Sequence, residues 1–167
     1  ESIDYSEKML NILNSNPSIG SDSNIWPLVN LGQAHIENYY QSSDFLETDI
    51  ISSGNSNITL AVSANEKVLD YISERNIERY QFEYEVALTM LLYYYNEPYI
   101  KDWDPNKELD FEKSLLDFLE QYRPGKIEKI ADVLAEIILD VSDVNEKFSY
   151  SFQLLALYEK ENYLSDA

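Results

Sequence analysis

Apolar residues recur every three or four positions along most of the chain, and this pattern is clearest over residues 126–141. Apolar side chains at this spacing lie along one face of an α-helix. The segment is therefore predicted to be an amphipathic helix that turns its apolar face toward a core. The residues on that face are Ile127, Ile130, Leu134, Ile137 and Val141.

Most of the remaining chain shows the same helical periodicity. The four glycines and five prolines interrupt it at few places, which suits long helices joined by short turns. Residues 15–24 and 52–57 are polar and are predicted to be loops. Further helices are predicted over 3–13, over 27–51 with an interruption near 42–43, from a Ser63–Glu66 capping box onward, over 76–95, over 111–122, and from Asp143 through Phe148, Phe152, Leu155 and Tyr158.

The segment 76–95 admits two interpretations. It carries two apolar stripes at helical spacing, which favours a central helix packed on two sides. The inner stripe is Ile77, Tyr80, Tyr84, Ala87 and Leu91, and the second is Phe82, Val86, Met90 and Tyr93. The first part of the segment, YQFEYEV, also alternates strictly between apolar and polar residues, as a strand does. We favour the helix because the helical period continues for longer. The alternative is an α+β fold with a small hairpin formed by residues 58–62 and 80–86.

These patterns predict an all-α protein. We expect a single helical domain over residues 1–167, arranged as a bundle or a helical-hairpin stack of about six helices. No motif repeats at a fixed period, so a solenoid is not indicated.

Charge is the feature that most restricts the class of partner. The chain of 167 residues has 31 acidic and 12 basic residues and a formal net charge of −19. Nucleic acids and anionic membranes would repel it, so neither is expected as a direct partner, and self-repulsion favours a monomer. Cysteine is absent, which excludes disulfides and sulfur-ligated metals. The compartment stays open, with a cytoplasmic location favoured.

The stretch DWDPNKELDFEK, residues 102–113, resembles the start of a calcium-binding loop only in that side chains with carboxylate or amide oxygens stand at alternate positions, Asp102, Asp104 and Asn106. Such a loop needs Gly at its sixth position and Glu at its twelfth, where this chain has Lys107 and Lys113. A helix start accounts better for the pattern, with Asp104 as the cap and Pro105 in the first turn. We expect no specific calcium there. Asp102 and Asp104 are predicted to add an acidic patch for a partner.

Catalytic and cofactor motifs are weak throughout the sequence. The single histidine, His35, has no Glu three residues before it and no partner for a triad or a zinc site. No glycine-rich phosphate loop occurs. We therefore expect no enzyme activity, no cofactor and no metal.

The predicted helix 126–141 carries a row of acids opposite its apolar face. Glu128, Asp132, Glu136 and Asp140 recur every fourth residue and are called here the acidic ladder. Each like-charged pair at this spacing costs about 0.2–0.5 kcal/mol, so the row destabilises its own helix by about 1 kcal/mol. It is either a solvated face of an acidic protein or a surface for a basic partner.

Tyrosine is the other unusual feature, with fourteen in the chain. Tyrosine is enriched at protein interfaces but also packs at the margins of helical cores. The tyrosines along the inner stripe of residues 76–95, Tyr80, Tyr84 and Tyr95, are assigned to the core. Tyr94, Tyr99 and Trp103 adjoin acids and a predicted turn, and are expected to contact a partner.

Small size, strong acidity and the lack of a catalytic motif favour a protein-binding inhibitor. We expect an immunity protein or antitoxin that neutralises a basic, nuclease-type bacterial toxin, with the acidic ladder, Asp102, Asp104, Tyr94, Tyr99 and Trp103 at the interface. The alternatives are a helical scaffold whose acidity serves solubility and, third, an enzyme that uses carboxylates.

Overall fold

The computed structural model describes residues 2–15, 25–42, 56–72, 77–95 and 104–165. Within these ranges the chain forms seven helices and no strand, which confirms the predicted all-α fold. The helices are α1 Ser2–Asn14, α2 Ile25–Ser42, α3 Ser56–Tyr71, α4 Gln81–Tyr95, α5 Pro105–Tyr122, α6 Ile127–Asp140 and α7 Val144–Ser165.

The alternative with a hairpin from residues 58–62 and 80–86 is wrong. Residues 58–62 lie inside α3, and 81–86 form the first part of α4. The short alternating pattern does not determine the structure, because the longer helical period buries Ala87, Leu88, Leu91 and Tyr94 on one face of α4.

The chain divides into two compact units, unit 1 from Glu1 to Trp103 and unit 2 from Asp104 to Ala167. Unit 1 contains α1–α4 and unit 2 contains α5–α7. The expectation of one domain over residues 1–167 stays a prediction.

In unit 1, α2 is the central helix, since it contacts α1, α3 and α4. The two apolar stripes predicted for α4 are covered to different extents. Ala87 and Leu91 on one stripe are fully buried, whereas Phe82 and Tyr93 on the other stripe are exposed. α4 contacts α3 and α2, and Val86 of the second stripe packs, partly buried, against the core.

The predicted helix start at Ser63–Glu66 is also wrong. α3 begins at Ser56, and Ile58 and Ala61 are already buried before Ser63 is reached. A capping sequence is a local signal, and here the burial of the preceding apolar residues extends the helix through it. The predicted loop at 52–57 therefore ends earlier than expected, and residues 52–55 lie outside the described residues, as do 16–24 of the other loop.

Close approach between α2 and α3 depends on Gly32. A Cβ at this position would lie 2.6 Å from Nδ2 of Asn65. Asn65 is buried, and its Nδ2 donates a hydrogen bond of 2.9 Å to the carbonyl oxygen of Ala61. The missing side chain at Gly32 lets the two helices pack at this distance.

Unit 2 is built around α6, which contacts both α5 and α7. The apolar face predicted for residues 126–141 is confirmed, and Ile130, Leu134 and Ile137 are among its buried residues. α5 begins as predicted, with Asp104 accepting a hydrogen bond of 3.0 Å from the amide of Asn106.

The start of α7 also follows the prediction. Oδ1 of Asp143 accepts hydrogen bonds from the amides of Asn145 and Glu146, each 2.9 Å long. The Glu146 side chain pairs with Lys113 of α5, with its Oε2 3.2 Å from Nζ of Lys113. This ion pair joins the first turn of α7 to α5.

α7 leaves a row of large apolar side chains in solvent. Phe148 is 62% exposed and Phe152 is 68% exposed, and Val144 and Leu155 are exposed beside them. On other sides of the helix, Lys147, Tyr150, Leu154 and Leu157 are half-buried. We call the exposed residues Val144, Phe148, Phe152 and Leu155 the α7 stripe.

No helix in the part of the chain that the structure describes combines the length and the apolar character needed to cross a bilayer.

Candidate functional site

The acidic ladder lies on the solvent side of α6. Glu128, Asp132, Glu136 and Asp140 are all exposed, while the core-facing residues Ile130, Leu134 and Ile137 of the same helix are buried. The exposure follows from the helical period, since residues four apart stay on one face and this face is opposite the core. Unit 2 therefore presents a row of four carboxylates to solvent, at steps of about 6 Å along the axis.

Asp140, the last residue of the acidic ladder, lies close to two acidic residues of α5. One carboxylate oxygen from each of Glu108, Glu112 and Asp140 lies within 4.8 Å of the others. We call these three residues the carboxylate cluster. Glu108 and Glu112 are buried, whereas Asp140 is exposed and is the last residue of α6.

Two glutamates become buried here because of their place in the α5 pattern. Glu108 and Glu112 are one turn apart and continue toward the N-terminus the same face as buried Leu115 and Leu119. A position on this face is covered whether its residue is apolar or charged. The fold thus buries two acids at positions that a helix selected only for stability would fill with apolar side chains.

The cluster is electrostatically strained. The pKa of Glu112 is raised from 4.5 to about 8, first by burial and then by the negative charges of Asp140, Glu108 and Glu136. Glu112 is 3% exposed, and its Oε2 atom has no hydrogen-bond partner among the described residues. A buried carboxylate oxygen without a donor costs free energy that an apolar residue in its place would not.

Sequence reasoning did not identify Glu108 and Glu112 as a site. The available signal was that they occupy the core-facing positions of the α5 pattern, where acids are seldom found. Their approach to Asp140 was not predictable, because it depends on how α5 packs against α6.

The other predicted partner residues have different environments. Tyr94 is 1% exposed in unit 1, with its hydroxyl 3.5 Å from Sδ of Met90. Burial, and then the neighbouring Tyr93, raise the pKa of its phenol. The expectation that Tyr94 contacts a partner is corrected by this burial: Tyr94 continues the inner stripe of α4 with Ala87 and Leu91. The cap residue Asp104 is partly exposed, while Asp102, Tyr99 and Trp103 lie outside the described residues.

His35, which has no predicted role, is buried in α2.

The chain matches no protein-family model, and searches of curated proteins and of solved structures return no similar protein. The fold and the side-chain geometry therefore supply all the evidence on function.

Proposed function

We propose that this chain is an acidic protein-binding inhibitor, such as an immunity protein that neutralises a basic, nuclease-type bacterial toxin. The observation that carries the proposal is the acidic ladder, whose four carboxylates are all exposed on one face of α6. A nuclease must present basic groups to bind nucleic acid, and carboxylates at steps of about 6 Å offer those groups a substitute for phosphates.

The overall charge supports fast association with such a partner. A net charge of −19 attracts a basic protein from a distance and raises the association rate constant by about 10- to 1000-fold at low salt. The ladder concentrates part of that charge on one helix face, at the expense of about 1 kcal/mol of repulsion between its members.

The α7 stripe favours a protein partner over simple solubility. Acidity that serves solubility alone gives no reason for Phe148 and Phe152 to stand more than half exposed in the same unit. Protein interfaces commonly combine apolar anchors with charged residues at their margins. The stripe would provide the anchors and the ladder would orient the partner.

The test is a charge-reversal experiment with a matched control. One variant has Glu128→Lys, Asp132→Lys and Glu136→Lys, and the control has the same substitutions at the exposed acids Asp110, Asp117 and Glu120 of α5. Both variants change the net charge equally. Asp140 is left unchanged because it also belongs to the carboxylate cluster.

Each protein is immobilised and exposed to lysate of the source organism at low salt, and bound proteins are then eluted with a salt gradient. The association kinetics of any basic protein that was retained are measured with each variant. We expect the ladder variant to associate at least about 10-fold more slowly than the control, with the difference erased by added salt. Equal rates for the two variants would exclude the ladder from the interface. If the unaltered chain retained no stoichiometric basic protein, the inhibitor proposal would fail and the scaffold hypothesis would replace it.

A further inference from the structure

We propose that Glu108, Glu112 and Asp140 form a binding site for a hard divalent cation, with Ca²⁺ as the ion that suits the cluster best. This site is independent of the acidic ladder as a protein-binding surface, although the two share Asp140. It lies within unit 2, between the first half of α5 and the end of α6.

The geometry of the three carboxylates suits one shared ion. One oxygen from each lies within 4.8 Å of the other two, which is close enough for a single cation to bond to all three, since Ca²⁺–oxygen bonds are about 2.3–2.6 Å long. Mg²⁺ has shorter bonds of about 2.0–2.1 Å and a stricter octahedral geometry. Mg²⁺ is usually held by one or two carboxylates and keeps several waters, so three protein carboxylates favour Ca²⁺, which accepts more oxygen ligands in a flexible geometry.

The unpartnered Oε2 of Glu112 is independent evidence for a ligand. This oxygen is buried, and no described residue donates a hydrogen bond to it. A buried acceptor in a native protein is nearly always satisfied by a hydrogen bond, a water or an ion. Because the carboxylate of Glu112 lies beside those of Glu108 and Asp140, a cation between the three would satisfy it.

The surrounding charges favour a cation over any neutral ligand. Two carboxylates adjoin Glu112 directly, and Glu136 adds a further negative charge from one turn earlier on α6. Asp140 also ends α6, whose last turn has no basic residue, and the C-terminal end of a helix carries a partial negative charge. Exposure of Asp140 gives an ion access from solvent and leaves room for water ligands.

The sequence analysis expected no metal and rejected a calcium loop at residues 102–113. The proposed site does not use that loop. It takes Glu108 and Glu112 from the helix that follows the loop start and Asp140 from a second helix.

The experiment is a calorimetric titration of chelator-treated protein with Ca²⁺ in 0.15 M KCl, followed by the same titration with Mg²⁺ and Mn²⁺. The salt screens diffuse attraction by the acidic surface. The site variants are Glu112→Gln and Asp140→Asn, and the controls are Glu120→Gln and Asp132→Asn, which remove the same charges from exposed positions on the same two helices.

We expect one Ca²⁺ per chain, binding about 10-fold or more weakly in each site variant and unchanged in the controls. Circular dichroism establishes that each variant is folded before it is titrated. Tighter binding of Mg²⁺ or Mn²⁺ than of Ca²⁺ would overturn the choice of ion. Absence of saturable binding, or equal weakening in site and control variants, would overturn the site itself.

If Ca²⁺ does not bind, and Glu112→Gln is folded but binds a basic partner more weakly than the original protein does, the cluster receives a cationic side chain of the partner. The cation proposal is then wrong. The titration itself requires no partner protein, so its failure is distinguishable from failure of the inhibitor proposal.

Discussion

Replacing Glu112 by Gln tests the strain in the carboxylate cluster most directly. The substitution keeps the size and shape of the side chain and removes its ability to ionise. Glu112 is buried beside Glu108 and Asp140, so the main change is the loss of one buried negative charge. We expect the variant to be more stable than the original protein in chelator-containing buffer at pH 8.

The magnitude follows from the pKa of the carboxyl group. This pKa is about 8 in the folded protein and 4.5 as the ordinary value, so the folded state holds the proton more tightly than the unfolded state does. Stability from this proton is complete below pH 4.5 and is lost as the pH rises through 8. At about 1.4 kcal/mol per pH unit, the original protein is expected to lose about 3 kcal/mol between pH 5 and pH 8 through Glu112.

The assay should report on unit 2 alone. Both tryptophans lie outside this unit, so native-state hydrogen exchange of peptides from α6, measured by mass spectrometry in increasing urea, is the suitable probe. The free energy of opening is measured at pH 5, 6, 7 and 8 for the original protein and for Glu112→Gln. A carbon-13 NMR titration of the glutamate side chains gives the pKa of Glu112 directly.

We expect the two proteins to diverge as the pH rises, with Glu112→Gln losing about 3 kcal/mol less between pH 5 and pH 8. The matched control is Glu120→Gln, an exposed position on the same helix, which should follow the original protein. Parallel pH profiles for the original protein and Glu112→Gln would refute the reasoning. They would show that Glu112 is not ionising against burial and neighbouring carboxylates.

Three further predictions concern packing, the ladder and a helix cap. Gly32→Ala should destabilise unit 1 by about 1 kcal/mol, because overpacking against Asn65 exceeds the gain in helix propensity; urea unfolding followed by tryptophan fluorescence checks this, and a midpoint equal to that of the original protein would contradict it. Gly125→Ala in unit 2 should be neutral, since a Cβ there meets no atom within 4 Å, and hydrogen exchange of the α6 peptides checks it. Asp132→Lys should stabilise α6 by about 1 kcal/mol, because two repulsive pairs become attractive; unchanged hydrogen exchange in α6 would contradict this. Asp104→Ala should destabilise α5 by about 1 kcal/mol through loss of its cap, seen as faster exchange of the first-turn amides, and unchanged exchange there would count against the cap.

The sequence by itself determined the features that depend on neighbours within one or two helical turns. The apolar face of α6 and the exposure of its ladder follow from a period of 3.6 residues, and were predicted correctly. The caps at Asp104 and Asp143 were predictable for the same reason, since a cap hydrogen bond joins residues two or three apart. The all-α class follows from repetition of this pattern.

The tertiary structure decided which of the possible faces is covered and which acids meet. Phe148 and Phe152 have the same helical spacing as core residues, yet they are exposed because α7 packs on α6 without covering them. Tyr94 has the opposite outcome and is buried. The carboxylate cluster joins Glu112 of α5 to Asp140 of α6, and such a contact is fixed by helix packing, not by any local sequence preference.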